Sequence, residues 1–138
     1  MGRIACIDFG LKRIGIALSD PSKKIAFPLE MVPGGPKAIE HIRRALATKP
    51  EPVERILVGL PLLMSGKEGD MVVLVRRFAE QLREAFGVPV DLIDERLSSK
   101  LADQTLRALP LHRKERTEKM DTAAATLLLQ AYLDQHHG

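Results

Sequence analysis

Three acidic residues stand where solvation alone would not put them: Asp8, Glu95 and Asp121. Asp8 closes Ile4-Ala5-Cys6-Ile7, an apolar run without alternation, as expected of a strand buried on both faces of a sheet. An ionised carboxylate there costs several kcal/mol of desolvation unless a cation or hydrogen-bond donors compensate. Glu95 lies just beyond a later apolar run, Val88 to Ile93, at the carboxyl end where parallel-sheet ligand sites gather. Asp121 opens a helical pattern among its apolar residues Met120, Ala124, Leu127 and Leu128. Each acid also has an ordinary reading. Asp8 can accept from the amides of Phe9-Gly10-Leu11 in a turn, Asp94-Glu95 can end a strand with Arg96 as counter-ion, and Asp121 can sit against the positive end of a helix. Converging at one sheet edge without matched buried cations, the three would instead suit a hard divalent ion, Mg²⁺ or Mn²⁺ rather than an all-protein calcium cage. Two such ions about 4 Å apart would stabilise the attacking and leaving oxygens of an in-line phosphodiester displacement.

Basic residues accompany these acids. Lys12 and Arg13 occupy the turn after Asp8, Arg96 follows Glu95, and Arg113, Lys114, Arg116 and Lys119 precede Asp121. Each alone is an ordinary solvated charge. Grouped beside three carboxylates, they supply the several positioning contacts that a phosphate backbone requires. The net charge of +3 permits a polyanionic partner without demanding one. Aromatic residues make up 4% of the chain, with no Trp, and Phe9, Phe27, Phe78, Phe86 and Tyr132 are scattered singly, which disfavours a base-stacking platform. The lone cysteine, Cys6, excludes a disulfide framework and a Cys-based zinc site. His41, His112, His136 and His137 lack metal-ligand spacing. No apolar stretch approaches a membrane span and no signal peptide precedes the first strand, so a cytoplasmic chain without a membrane partner is expected.

The elements that must hold these residues are legible in the pattern. The 138 residues fit one domain, 1–138, of ordinary size. Gly10 to Arg13 joins the first run to Ile14–Ser19 as an antiparallel hairpin, and residues 25–32 form a third strand bent by Pro28. Pro33-Gly34-Gly35-Pro36 ends the sheet run, and Ile39, Ile42 and Leu46 recur at helical spacing. Val53 to Leu60 is a fourth strand. A helix follows from Met71, with Leu74, Val75, Phe78, Leu82 and Phe86 on one side and Gly87 as its stop. Val88 to Ile93 is the fifth strand, and a helix capped by Ser98 or Ser99 ends at Pro110. Residues 111–119 are polar without an apolar period and read as the most mobile stretch. A last helix runs from Met120 to Asp134 with Met120, Ala124, Leu127, Leu128, Ala131 and Tyr132 inward. The class is α/β: a five-stranded mixed sheet, its first three strands antiparallel, with helices on both faces.

Four blocks along nearly the whole chain together resemble the YqgF family, the pre-16S rRNA nucleases also described as RuvC-like Holliday-junction resolvases. They are Ile7-Asp8-Phe9-Gly10 with Lys12-Arg13-Ile14-Gly15-Ile16-Ala17 and Ser19-Asp20, then Val58-Gly59-Leu60-Pro61 with Gly66 and Glu68-Gly69. Asp94-Glu95-Arg96-Leu97-Ser98-Ser99 follows, and finally Asp121 with Ala123-Ala124, Leu128-Leu129-Gln130 and Tyr132-Leu133. The resemblance implies an RNase H-like fold and metal-dependent hydrolysis of nucleic acid, with Asp8, Glu95 and Asp121 as catalytic and metal-binding triad. It further implies maturation of the 5′ end of 16S rRNA on ribosomal precursor particles, with DNA recombination as the family's other attribution. The fourth strand ends in Gly59-Leu60-Pro61 and offers no acid, so small Gly59 is expected to leave room for Glu95 to reach across. Leu63 and Ser65 depart from the family's loop pattern.

Three classes compete. The first is a hydrolase in which Lys12, Arg13 and Arg96 position the strand while residues 111–119 close over it. An actin-like or sugar-kinase phosphotransferase shares the D-x-G hairpin but needs two lobes, and 138 residues supply one. A non-catalytic nucleic-acid-binding module would have lost its acids. RNA and branched DNA are not distinguished by any motif. Junction cleavage would favour a dimer, but no strong apolar stripe predicts more than a monomer or weak homodimer.

Overall fold

Short β-branched runs separated by glycine and proline give this chain its sheet. The structure, a computed structural model, describes residues 2–60, 69–94 and 113–136, with the side chains of residues 113–123 outside that description. Strands β1 (Arg3–Asp8), β2 (Arg13–Ser19) and β3 (Ala26–Pro33) form an antiparallel meander. Helix α1 (Ala38–Leu46) leads to β4 (Val53–Leu60), and α2 (Asp70–Phe86) leads to β5 (Val90–Asp94). The last helix, α3, spans Arg113–His136. The strands are ordered β3-β2-β1-β4-β5, with β1, β4 and β5 mutually parallel. The first strand is therefore central, and the carboxyl ends of β1, β4 and β5 share one edge of the sheet.

Both faces of β1 are covered, which explains its unbroken apolar run. Ala5 and Ile7 pack with Ile56, Val58, Ile42 and Val75 beneath α1 and α2. Ile4 and Cys6 pack with Ala17, Leu57 and the α3 residues Ala125, Leu128, Leu129 and Leu133 on the opposite face. Cys6 is fully buried. Gly87 ends α2 in the left-handed conformation (φ 65°), its N–H donating to the Arg83 carbonyl at 2.9 Å.

Three expectations from the pattern are corrected. Residues 113–119 are helical and open α3, which therefore starts seven residues before Met120. A polar run carries no apolar period, but Lys, Arg and Glu are good helix formers, and Glu115 stands four residues before Lys119 in the favourable order. A loop closing over the substrate is thus replaced, from Arg113 onward, by the first turns of a helix. Secondly, the inner face of α3 includes Ala125, Leu129 and Leu133, while Ala131 is exposed and Leu127 only half-buried. Thirdly, α2 buries Val72 and leaves Leu74 on its exposed side. The helix expected between Ser98 and Pro110 lies outside the described residues.

The amino end of the sheet is pinned by side chains. The Ser19 hydroxyl accepts from the Ile4 N–H and donates to the Asp20 carbonyl, both at 2.9 Å. Asp20 holds the β2–β3 turn: its carboxylate accepts from the N–H groups of Lys24 (2.8 Å) and Ile25 (2.9 Å) and from the Ser22 hydroxyl. Gln130 ties α3 to the same turn, accepting from Ala26 N–H at 2.8 Å and donating to the Lys24 carbonyl at 3.0 Å. Among these contacts the Ile25 backbone N–H does most to hold the Asp20 carboxyl well below the usual carboxylate range, followed by the Ser22 hydroxyl. Asp20 therefore favours the folded state fully above the ordinary aspartate value near 3.8, and that contribution fades as pH falls toward its lower folded-state value. Urea unfolding of Asp20→Asn should show a larger stability deficit near pH 6 than near pH 2. An equal deficit at both would mean that the turn does not draw on the charge.

Candidate active site

Alternation along β1 sends Ile4 and Cys6 toward α3, and it sends Asp8, two residues on, to that same face at the strand's carboxyl end. Asp8 is half-buried and sits between two glycines. On one side it pairs with Gly15 of β2. On the other, Ile7 pairs with Val58 of β4, so Gly59 is the next residue up. Both glycines are buried, and neither presents a Cβ beside the carboxylate. That leaves room for other acids to approach it, and a carboxylate oxygen set is the donor chemistry that hard divalent ions take. From the sequence Gly59 was expected to leave room for Glu95, which lies outside the described residues. Gly15 was not, although a glycine inside a strand is the signal for such a close approach.

The loop after Asp8 is fixed backbone to backbone. A Cβ on Gly10 would lie 2.4 Å from the Arg13 carbonyl oxygen, and one on Gly34 would lie 2.5 Å from the Leu11 carbonyl oxygen. The Gly34 N–H also donates to the Lys12 carbonyl at 3.0 Å. The Pro33-Gly34-Gly35-Pro36 segment is thus more than a strand terminator, since it buttresses the loop that carries Lys12 and Arg13. Sequence reasoning missed Gly34, because its partner is distant in the chain. Lys12 is exposed at the tip, and Arg13 is the exposed first residue of β2, opposite Pro33.

The axial position of Asp121 follows from the backbone. Gln130 of α3 bonds Ala26, which pairs with Ser19, and Ser19 in turn bonds Ile4. Asp8 lies four strand residues beyond Ile4, about 13 Å along β1. Asp121 lies nine helical residues before Gln130, about 13 Å along α3. The two rises match, and Asp121 stands four residues before inward-facing Ala125. In β5, Val90 and Leu92 pack on the α1–α2 side and Ile93 on the α3 side. Asp94, opposite Leu60, therefore falls by alternation on the face away from Asp8.

Glu95 and Arg96 lie outside the described residues, as do Leu63, Ser65, Gly66 and Glu68. Arg113, Lys114, Arg116 and Asp121 are placed by backbone alone, in the first half of α3. Among the described residues no group of three His, Cys, Asp or Glu side chains converges, and none of these residues belongs to a helix long and apolar enough to cross a membrane.

The arrangement of sheet and helices is that of RNase H-like nucleases. The T. thermophilus RuvC in complex with a Holliday junction superposes with a TM-score of 0.51 at 18% identity, covering 98% of this chain and 96% of that one. The Fowlpox virus resolvase in complex with junction DNA gives a TM-score of 0.57 at 12% identity, covering 96% and 97%. At these identities the likeness is one of fold.

The family model described as "RuvX: Holliday junction resolvase" matches residues 2–135, and the chain belongs to that family. A protein of Chlorobaculum tepidum is 44% identical over 139 residues, covering 97% of this chain and 94% of its own length. One of Protochlamydia amoebophila is 40% identical over 139 residues, covering 96% and 93%. Both relatives carry the name "Putative pre-16S rRNA nuclease". The protein is a nuclease, a hydrolase of phosphodiester bonds.

The packing around the hairpin yields a direct test. Gly10→Ala puts a methyl group against a backbone carbonyl that cannot swing aside, so Asp8 and Lys12 must shift relative to one another. Nuclease activity should fall at least about tenfold while the circular dichroism spectrum keeps its α/β shape, since misplacing a catalytic group by about 1 Å costs on the order of 100-fold. Wild-type turnover in this variant would mean that the loop's backbone geometry does not set the site.

Proposed function

We propose that the protein cleaves the 5′ flank of precursor 16S rRNA, with Asp8, Glu95 and Asp121 as the carboxylates that hold the divalent ion. The single observation that carries this reading is Asp8, half-buried at the end of a doubly covered strand and flanked by Gly15 and Gly59. The matched rises of β1 and α3 support Asp121 as its neighbour, and Glu95 is included on the strength of its position in the sequence, directly after β5. When bound there, one or two ions of Mg²⁺ or Mn²⁺ would supply Lewis-acid stabilisation of the attacking and leaving oxygens. The carboxylates would hold that ion at the sheet edge, where its charge would offset that of the reacting phosphate. Lys12 and Arg13, on the buttressed loop, pair with backbone phosphates beside the cut. Arg96, with Arg113, Lys114 and Arg116 at the amino end of α3, extends that contact along the strand.

The substrate assignment is supported by the relatives' shared name; action in the cytoplasm on ribosomal precursor particles belongs to the same proposal. Cleavage of four-way DNA junctions is the second reading, favoured by the family's description, and it would call for a weak dimer rather than a monomer.

The two readings separate in one assay, in which a precursor rRNA fragment and a four-way DNA junction are offered with Mg²⁺ or Mn²⁺. The rRNA fragment should be cut at its 5′ flank and the junction left largely intact; preferential junction cutting would reverse the assignment. Asp8→Asn should lower the cleavage rate at least about 100-fold without changing the melting temperature of the metal-free protein. Unaltered metal-dependent cleavage by that variant would remove Asp8 from the chemistry.

A further inference from the structure

The sheet face away from Asp8 carries a second feature at the same edge. Phe9, the residue after Asp8, turns to the α2 side and meets Phe78, their ring centroids 4.7 Å apart at an interplanar angle of 43°. Sequence reasoning had these aromatics scattered singly; the fold brings two together beside the acid. They form the floor of an open cleft of about 190 Å³, whose walls are Leu11 of the hairpin and Leu74 and Gln81 of α2. Leu11 is 63% exposed and Leu74 37% exposed, so the cleft presents apolar surface to solvent. Arg77 stands at its rim and also lines a neighbouring open groove of about 540 Å³, together with Arg76, Arg83 and Leu92. Arg83 is engaged by Glu80 and by the Val90 carbonyl. Arg77 is exposed on α2 and has no carboxylate partner among the described residues.

We propose that this cleft is a subsite for an unpaired nucleotide flanking the cleaved phosphodiester, its base between Leu11 and Leu74 over the Phe9–Phe78 pair and its phosphate on Arg77. The occupant follows from size and charge. A small apolar cleft with aromatic carbon at its floor takes one planar ring, and the Gln81 amide offers a donor and an acceptor to that ring's edge. A cation shared by the cleft and the adjoining groove fits a backbone that continues past the base. The subsite rests on the nuclease reading of the neighbouring acid. It adds that the strand is single-stranded on this side of the cut, crossing the sheet's carboxyl edge from the α3 face to the α2 face.

Binding without cleavage tests it. A short fluorescein-labelled single-stranded RNA is titrated with the full-length protein in EDTA, across a salt series, by fluorescence anisotropy. Arg77→Gln should weaken affinity about fivefold or more and lower the slope of log affinity against log salt by about 0.7, the signature of one lost single-strand phosphate contact. Leu11→Ala should weaken affinity by a similar factor with the slope unchanged, and should abolish the quenching of 2-aminopurine placed at the flanking position. Wild-type affinity and slope in both variants would overturn the proposal. So would a fall in light-scattering mass in Leu74→Asp, which would make the cleft a contact between copies. Failure of the nuclease reading looks different: Asp8→Asn would cleave as wild type does while the Arg77 and Leu11 deficits persisted.

Discussion

An aspartate at the end of a strand covered on both faces is the constraint on which the rest of this molecule depends. Packing β1 between α1–α2 and α3 removes its neighbours from water, so the Asp8 carboxylate needs compensation by cations or donors. The fold answers by leaving space where side chains would otherwise crowd it: Gly15 on one flank and Gly59 on the other. The parallel order of β1, β4 and β5 then gathers three strand ends at one edge. Helix α3 lies over that face, its carboxyl-terminal half tied to the amino end of the sheet by Gln130. Its earlier turns must therefore run toward Asp8.

The hairpin after Asp8 is positioned by the same economy. Gly10 and Gly34 let three carbonyl-bearing segments touch without side chains between them, and the Gly34 N–H to Lys12 bond fixes the tip. A cationic loop that is already fixed in its backbone can hold a polyanion without paying much backbone entropy on binding. The two faces of the sheet edge thus differ: Asp8 lies toward α3, and Phe9 turns to Phe78 on the α2 side.

Much of this could be read from residue order. Unbroken apolar runs marked the doubly buried strands, the hairpin turn marked the meander, and the run up to Asp8 put that acid at a strand end. What stayed hidden depended on contacts distant in sequence. Leu74 and Val72 of α2 fit an apolar helical face almost equally well, and only the approach of the sheet selects Val72 for burial. The start of α3 was obscured because residues 113–119 carry charge on every side, which erases the period without lowering helix propensity. Phe9 and Phe78 lie 69 positions apart and meet only when β1 packs against α2. The buttress of Gly34 on the hairpin has no local signature at all.

The central claim, that Asp8 anchors a carboxylate metal site completed by Glu95 and Asp121, is tested most directly by calorimetric titration of Mn²⁺ into the wild-type protein and into Asp8→Asn, Glu95→Gln and Asp121→Asn. Each substitution should weaken Mn²⁺ binding at least about tenfold, with Asp8→Asn the most severe, because each removes one oxygen ligand from a shared ion. Wild-type Mn²⁺ affinity in either Glu95→Gln or Asp121→Asn would contradict the account, since the three carboxylates would then not share a site.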